Sequence, residues 1–426
     1  MRNDVLSHLA FFEALADEAS ESSRSWHEHS AGLLALRLYD SWDRARRRVA
    51  RPPEAAHAMA VRYQVEALDP YSPVRAPLLS MVTGIMDDPV APVVIRNSLV
   101  TYAQRLRHQG NWRLAADVFR TALESREPGD ISAEAYQAAM ECGYCSRMSG
   151  DLEEAAVAYD VGEAIAMASR DTFGSLRAQV GKAKLTIHRG NLPQAEAELE
   201  AIAQAAEGAD CQPALSLALA ERMAVAGQRG QFEAAAVFGY RALEHCSDST
   251  TREAIMSDLA TALGDAGESA ASRDLHLVLS ATAQDTRVRW LSTANLLVLA
   301  ARDGATEAFE SYRRMLDDAP LPVELRARYA LALGESYELF GDTPRAIAAL
   351  EEAASVAGEY QVNEVLVRAE VALQALRRRE HVEQPVEEVV QQPVHSGGVS
   401  LETVVRGARA MRERMVGDQM MVGAGS

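Results

Sequence analysis

The chain has 426 residues, of which 48% are hydrophobic, 24% are charged and only 6% are aromatic. This length exceeds what one compact core accommodates, so several domains or an elongated repeat array are expected. The low aromatic content disfavours an all-β protein, because β-strands favour aromatic and β-branched side chains.

The net charge of −18 is distributed unevenly along the chain. Basic and acidic residues balance in residues 1–110 and again in residues 375–426, so the whole excess lies in residues 111–374. An acidic body repels phosphate backbones, which argues against a nucleic-acid partner. The sequence shows no secretory signal and no stretch that approaches the ~18 apolar residues of a membrane span. A cytoplasmic protein without membrane contact is therefore expected.

The N-terminal part of the chain predicts paired helices. Residues 1–52 are expected to form an N-terminal helical cap with helices over 4–19 and 25–49, the second ending before Pro52-Pro53. Residues 53–89 are expected to form a degenerate helical repeat, because two helical stretches flank a proline-containing turn.

Residues 90–358 contain a turn that recurs with regular spacing. In each copy an apolar helix ends at a glycine and a second helix follows. The second helix usually has an alanine five residues after that glycine. The turn glycines are Gly110, Gly150, Gly190, Gly230, Gly267, Gly304 and Gly341, spaced first by 40 and then by 37 residues. Glycine suits this position because it adopts the positive φ that ends a helix. The pattern predicts seven stacked helical hairpins.

The last of these units, ARYALALGESYELFGDTPRAIAALEEA, resembles a tetratricopeptide repeat over its whole length. The matching positions are Leu333, Gly334 and Tyr337 in the first helix, Gly341 in the turn, and Ala346, Leu350 and Ala353 in the second helix. The period exceeds the family's usual ~34 residues, and the unit at Gly304 fits better with Asp303 in the turn. The resemblance covers about 90–360 and implies an all-α, right-handed α-solenoid of antiparallel helix hairpins.

The C-terminal part changes character twice. Residues 359–379 predict a capping helix that ends in arginines, which complement the helix dipole. Residues 380–399 have prolines, paired glycines and no helical period, so a disordered linker is expected. The tail, residues 400–426, contains a short amphipathic helix over 400–416, whose apolar face and arginines predict docking within the chain or between copies.

The sequence contains no motif for catalysis or cofactor binding. Cys142 and Cys145 form a C-x-x-C on a helical segment without a second such pair, so packed thiols are expected. His27 and His29 lie about 200° apart on a helix and cannot share a metal without further ligands. We therefore expect no catalytic residue, no metal and no cofactor, and the protein is not expected to be an enzyme.

A helical solenoid offers instead a concave surface lined by the first helix of each hairpin. The family resemblance implies that groove positions lie at fixed distances before each turn glycine. In the first three repeats the candidate partner-binding residues are Asn97, Gln104, Arg107, Tyr144, Arg147, Arg177 and Lys184. These positions are basic and amide-rich, and the equivalent positions of the later repeats are acidic. The alternative is that all of them are ordinary solvated helix faces.

Three function classes are compatible with this organisation. The leading hypothesis is a non-enzymatic scaffold or adaptor that binds a protein or peptide partner on the concave solenoid surface. The second is a structural repeat protein that self-assembles into oligomers or filaments, in which case the partner is the chain itself. The third is the sensor module of a regulator, which is disfavoured because no basic helix-turn-helix segment flanks the array.

Overall fold

The structure is a computed structural model that describes residues 7–17, 23–87, 92–359, 362–379 and 399–423. Every regular element in these ranges is an α-helix, and there are twenty. The chain divides into two compact units, Met1–Asn191 (unit 1) and Leu192–Ser426 (unit 2). None of the described helices is both long and apolar enough to cross a lipid bilayer.

Unit 1 begins with four helices of unequal length and continues into helical hairpins. Its described helices are α1 (Leu9–Asp17), α2 (Arg24–Arg46), α3 (Ala55–Glu66), α4 (Arg75–Met86), α5 (Pro92–His108), α6 (Trp112–Glu124), α7 (Ala133–Met148), α8 (Leu152–Ala168) and α9 (Thr172–His188). Consecutive helices pack on each other, and α7 also contacts α9. The ends of the first predicted N-terminal helix, over 4–19, lie outside the described residues, whereas the second, predicted over 25–49, corresponds to α2.

Unit 2 repeats the same arrangement. Its described helices are α10 (Leu192–Gly208), α11 (Gln212–Gln228), α12 (Phe232–Glu244), α13 (Ser249–Asp265), α14 (Ser269–Thr282), α15 (Thr286–Arg302), α16 (Thr306–Asp317), α17 (Val323–Leu339), α18 (Thr343–Glu359), α19 (Asn363–Arg379) and α20 (Leu401–Gly423). Each unit is a stack of antiparallel hairpins, so the predicted all-α, tetratricopeptide-like solenoid fold is confirmed.

The hairpin turns show why glycine recurs. All seven predicted turn glycines have a positive φ, between 67° and 88°, and a Cβ added at any of them would meet no atom within 4 Å. The backbone conformation, rather than a lack of space, therefore requires glycine. In the sixth of the seven hairpins, between α15 and α16, the left-handed residue is Gly304, whereas Asp303 is the right-handed C-cap. The prediction that Asp303 takes the turn position was wrong.

The repeat alanines form the core between paired helices. Ala115, Ala155, Ala195, Ala235 and Ala346, five residues after their turn glycines, are all fully buried. Such small side chains let two helices approach closely. Cys142 and Cys145 are also fully buried, and this burial raises the pKa of both thiols to about 12. The thiols are thus neutral and packed, as expected.

The C-terminal helices occupy different places in unit 2. Helix α19 packs on α18 and α17 at the end of the hairpin stack. The predicted linker falls on residues 380–398, which lie outside the described residues. Helix α20 is longer than the predicted 400–416 helix and packs on α14 and α12. The predicted docking of the tail therefore occurs within the chain.

Candidate functional site

Helices α5, α7 and α9 bring several of the predicted groove residues together in unit 1. Arg107 and Arg147 stand three residues before their turn glycines, and Tyr144 stands six residues before its own. We call the surface formed by Arg107, Glu141, Tyr144, Arg147 and His188 the unit 1 face. Residues three and four apart share one side of a helix, which aligns these positions in successive hairpins.

Tyr144 is the centre of the unit 1 face. The guanidinium carbons of Arg107 and Arg147 lie 5.9 and 5.3 Å from the centroid of the Tyr144 ring. The indole of Trp112 meets the same ring edge-on, with the ring centroids 5.7 Å apart. The negative π-face of an aromatic ring attracts cations at these distances. Tyr144 therefore holds two arginines from adjacent hairpins against one surface.

The charge of Arg107 is neutralised within the face. Its Nη1 donates to Oε2 of Glu141 at 3.0 Å, and Oε1 of Glu141 accepts a hydrogen bond from Nε2 of Gln137 at 2.8 Å. Glu141 was not among the predicted partner-binding residues. Because Glu141 pairs with its guanidinium, Arg107 adds a fixed side chain to the face but little net charge.

Arg147 has a different environment. It is only 8% exposed, its Nε is buried without an acceptor, and its Nη1 lies 2.7 Å from Nε2 of His188. Burial, together with the charges of Arg147 and Lys184, lowers the pKa of His188. The imidazole is therefore neutral at pH 7 and accepts the hydrogen bond, since a guanidinium can only donate.

The positive charge of Arg147 is thus buried and unbalanced. Within the described part of the chain, no carboxylate forms an ion pair with it. A buried cation is costly unless an anion or several acceptors compensate it. The alternative that all the candidate residues lie on ordinary solvated helix faces does not hold for Arg147, because only 8% of this residue is exposed.

The other predicted residues lie along the same helices. Asn97 is exposed near the start of α5, and Gln104 is half-buried in its C-terminal half. Arg177 lies beside the hydroxyl of Tyr136, which donates to the carbonyl of Gly174 at 2.9 Å. Among the contacts described for unit 1, none joins Asn97, Gln104 or Arg177 to Tyr144. Lys184 lies close enough to His188 for its charge to affect that imidazole.

The residue that supports this face from behind was not predicted from the sequence. The buried ring of Tyr159, on α8, lies against Gly143 of α7 and Gly181 of α9. A Cβ added at either glycine would come within 2.6 to 2.7 Å of Cε1 of that ring. Glycine in a helix interior costs stability relative to alanine, so its presence there signals a close approach. Tyr159 therefore sets the positions of α7 and α9 behind the face.

Comparison with known proteins finds only distant structural similarity. The sequence matches no protein-family model, and it matches no curated protein. A tetratricopeptide repeat protein from Parabacteroides merdae is 16% identical, covers 64% of this chain and 98% of its own, and has a TM-score of 0.41. The Rap conjugation gene regulator of plasmid pLS20, solved in complex with the Phr* peptide, is 12% identical with 83% and 97% coverage and a TM-score of 0.47. The apo form of RapI is 9% identical with 83% and 99% coverage and a TM-score of 0.46.

Proposed function

We propose that the protein is a non-enzymatic scaffold or adaptor that binds a protein or peptide partner on the unit 1 face. The observation that carries this proposal is the buried, unbalanced charge of Arg147 beside Tyr144. A partner segment with an acidic side chain or a terminal carboxylate would supply the missing anion. The gain would be large for one contact, because charge-assisted hydrogen bonds strengthen where water is excluded.

The composition of the face supports a protein partner. Binding hot spots on proteins are enriched in tryptophan, tyrosine and arginine. The face contains Tyr144, Arg107 and Arg147, and Trp112 packs against the Tyr144 ring beside it. A long polyanion such as a nucleic acid fits poorly, because the cationic positions are few and residues 111–374 are strongly acidic. A short acidic segment of a protein needs only a few cationic positions and meets less repulsion from the acidic residues than a long polyanion does.

The test is a comparison of partner capture by three versions of the full chain. Arg147→Gln removes the charge and keeps hydrogen-bonding capacity, whereas Arg229→Glu reverses an exposed arginine at a turn in unit 2. We expect the wild type and Arg229→Glu to retain the same partner from an extract of the source organism. We expect Arg147→Gln to bind the purified partner at least about tenfold more weakly, consistent with the loss of a charged hydrogen bond.

The melting temperature of each variant separates binding from folding. Arg147→Gln should melt close to the wild type, since it removes a costly buried charge as well as its contacts. Equal affinity of Arg147→Gln and the wild type, measured at low salt, would contradict the proposal. If Arg147→Gln loses affinity because it unfolds, the role of Arg147 is to stabilise the fold rather than to bind the partner.

A further inference from the structure

Helix α20 covers a specific surface of unit 2. It packs on α14 and, less extensively, on α12, which are the second helices of two successive hairpins. Val404 and Ala408, one turn apart on α20, are 0% and 1% exposed. Residues with this spacing form a narrow stripe along one side of a helix. The predicted partner groove, in contrast, is lined by the first helices of the hairpins.

Two contacts fix the position of α20 on this surface. Gly407 abuts the ring of Tyr240 on α12, so closely that an added Cβ would lie 2.4 Å from Cε2 of the tyrosine. Nη1 of Arg412 donates to Oδ1 of Asp274 on α14 at 2.6 Å, and Asp274 is only 7% exposed. The surface thus offers a flat ring for a residue without a side chain and a shielded carboxylate for a cation.

These contacts are few for a helix of this length. Most of the stability of a helix in a protein comes from the surface that its apolar face covers, rather than from the helix itself. Only two of the described side chains of α20 are fully buried, and one ion pair supplements them. The rest of the described part of the helix faces solvent at least partly. We expect such a contact to open more readily than the packing within the hairpin core.

We propose that the surface of α12 and α14 around Tyr240 and Asp274 is a helix-binding site, and that α20 of the same chain is its occupant. The site recognises an amphipathic helix with a small residue against Tyr240 and an arginine against Asp274, a mode in which a helix lies on an apolar surface. Helix α20 belongs to the same chain as the site, so its docking is intramolecular and a free helix has to compete with it. A free helix therefore binds only when α20 has left.

The test uses the full chain and a labelled peptide of residues 399–423. Gly407→Trp and Arg412→Glu alter only α20 and leave the surface that receives it unchanged. Arg409→Glu is the matched control, because Arg409 is an exposed arginine of the same helix. We expect the first two variants to lose amide-exchange protection in α20 and to bind the peptide at least tenfold more tightly than the wild type. The control should behave as the wild type.

A charge exchange tests the specificity of the site. Asp274→Arg, introduced together with Arg412→Glu, should restore protection of α20, because the ion pair forms again in the opposite sense. Two results would overturn the proposal. One is exchange of the α20 amides at unfolded-peptide rates in the wild type; the other is peptide binding by the released variants that is no tighter than in the wild type.

Discussion

At the scale of single residues, Tyr159 determines how closely α7 and α9 approach α8. Its ring is 3% exposed and occupies the space that a side chain at Gly143 or Gly181 would need. The two glycines lie 38 positions apart in the sequence and meet the same ring. Neither glycine belongs to a turn, so the repeat pattern did not reveal them. Packing, rather than backbone conformation, requires glycine at both positions.

The contact between Gly181 and Tyr159 predicts that the effect of Gly181→Ala on stability changes sign when the tyrosine ring is removed. Gly181→Ala should destabilise the wild type by about 1–3 kcal/mol, because the added methyl group overpacks the contact with Tyr159. In a Tyr159→Leu background the same substitution should stabilise the chain by up to about 1 kcal/mol, the usual gain of alanine over glycine in a helix. Urea unfolding of the four proteins of this double-mutant cycle measures the coupling.

Gly227 provides the control for that cycle. It lies in the last turn of α11, and a Cβ added there would meet no atom within 4 Å. Gly227→Ala should therefore stabilise the chain in both backgrounds. A destabilising effect of Gly181→Ala that persists with Tyr159→Leu would show that the ring is not the cause.

At the scale of helices and turns, both glycine and non-glycine residues adopt a left-handed backbone conformation. Gly150 ends α7 with a φ of +85°, whereas Arg170, between α8 and α9, adopts a φ of +60° with a side chain present. Left-handed backbone costs a non-glycine residue roughly 1–2 kcal/mol. The turns within hairpins thus avoid a strain that the turn at Arg170 retains.

The substitutions at these two turns should have opposite effects. Gly150→Ala should destabilise by about 1–2 kcal/mol through strain alone, since there is open space around its Cβ position. Arg170→Gly should be neutral or stabilise by up to about 1 kcal/mol, because relief of strain is partly offset by the greater freedom of the unfolded chain. Thermal unfolding of both variants checks the signs, and destabilisation by Arg170→Gly would indicate that the arginine side chain has a structural role.

The helical hairpins were predictable from the sequence because each signal is local. A turn glycine, the alanine five residues later and the apolar spacing all lie within one hairpin, as the units at Gly110 and Gly341 show. The site was less predictable, because its geometry depends on contacts between hairpins. Arg107 and Arg147 were identified by position, but the pairing of Arg107 with Glu141, 34 residues away, and the burial of Arg147 were not.

At the scale of the whole molecule, each unit contains a buried histidine whose titration differs from that of the unfolded chain. In unit 1, Nδ1 of His8 lies 2.9 Å from Asp117 and its Nε2 lies 3.3 Å from Asp40. Burial lowers the pKa of His8, but hydrogen bonds to these two carboxylates outweigh it and raise the pKa to about 9. In unit 2, burial alone lowers the pKa of His276 to about 4.

These two shifts act in different pH ranges. An unfolded histidine has a pKa near 6.5. His8 binds its proton more tightly in the folded state, so its contribution to stability is complete below about pH 6.5 and disappears as the pH rises through about 9. His276 resists protonation when folded, so stability is unaffected by it above about pH 6.5 and falls as the pH decreases towards about 4.

The two units should therefore lose stability in opposite directions from neutral pH. Amide exchange measured at several pH values, corrected for intrinsic rates, should show unit 1 weakening from pH 6.5 to 9 and unit 2 weakening from pH 6.5 to 4. His8→Gln should flatten the first dependence, and His276→Leu should flatten the second, each without changing the other unit. If unit 2 loses as much stability at acidic pH in His276→Leu as in the wild type, the loss is caused by the carboxylates instead. These are abundant in residues 111–374.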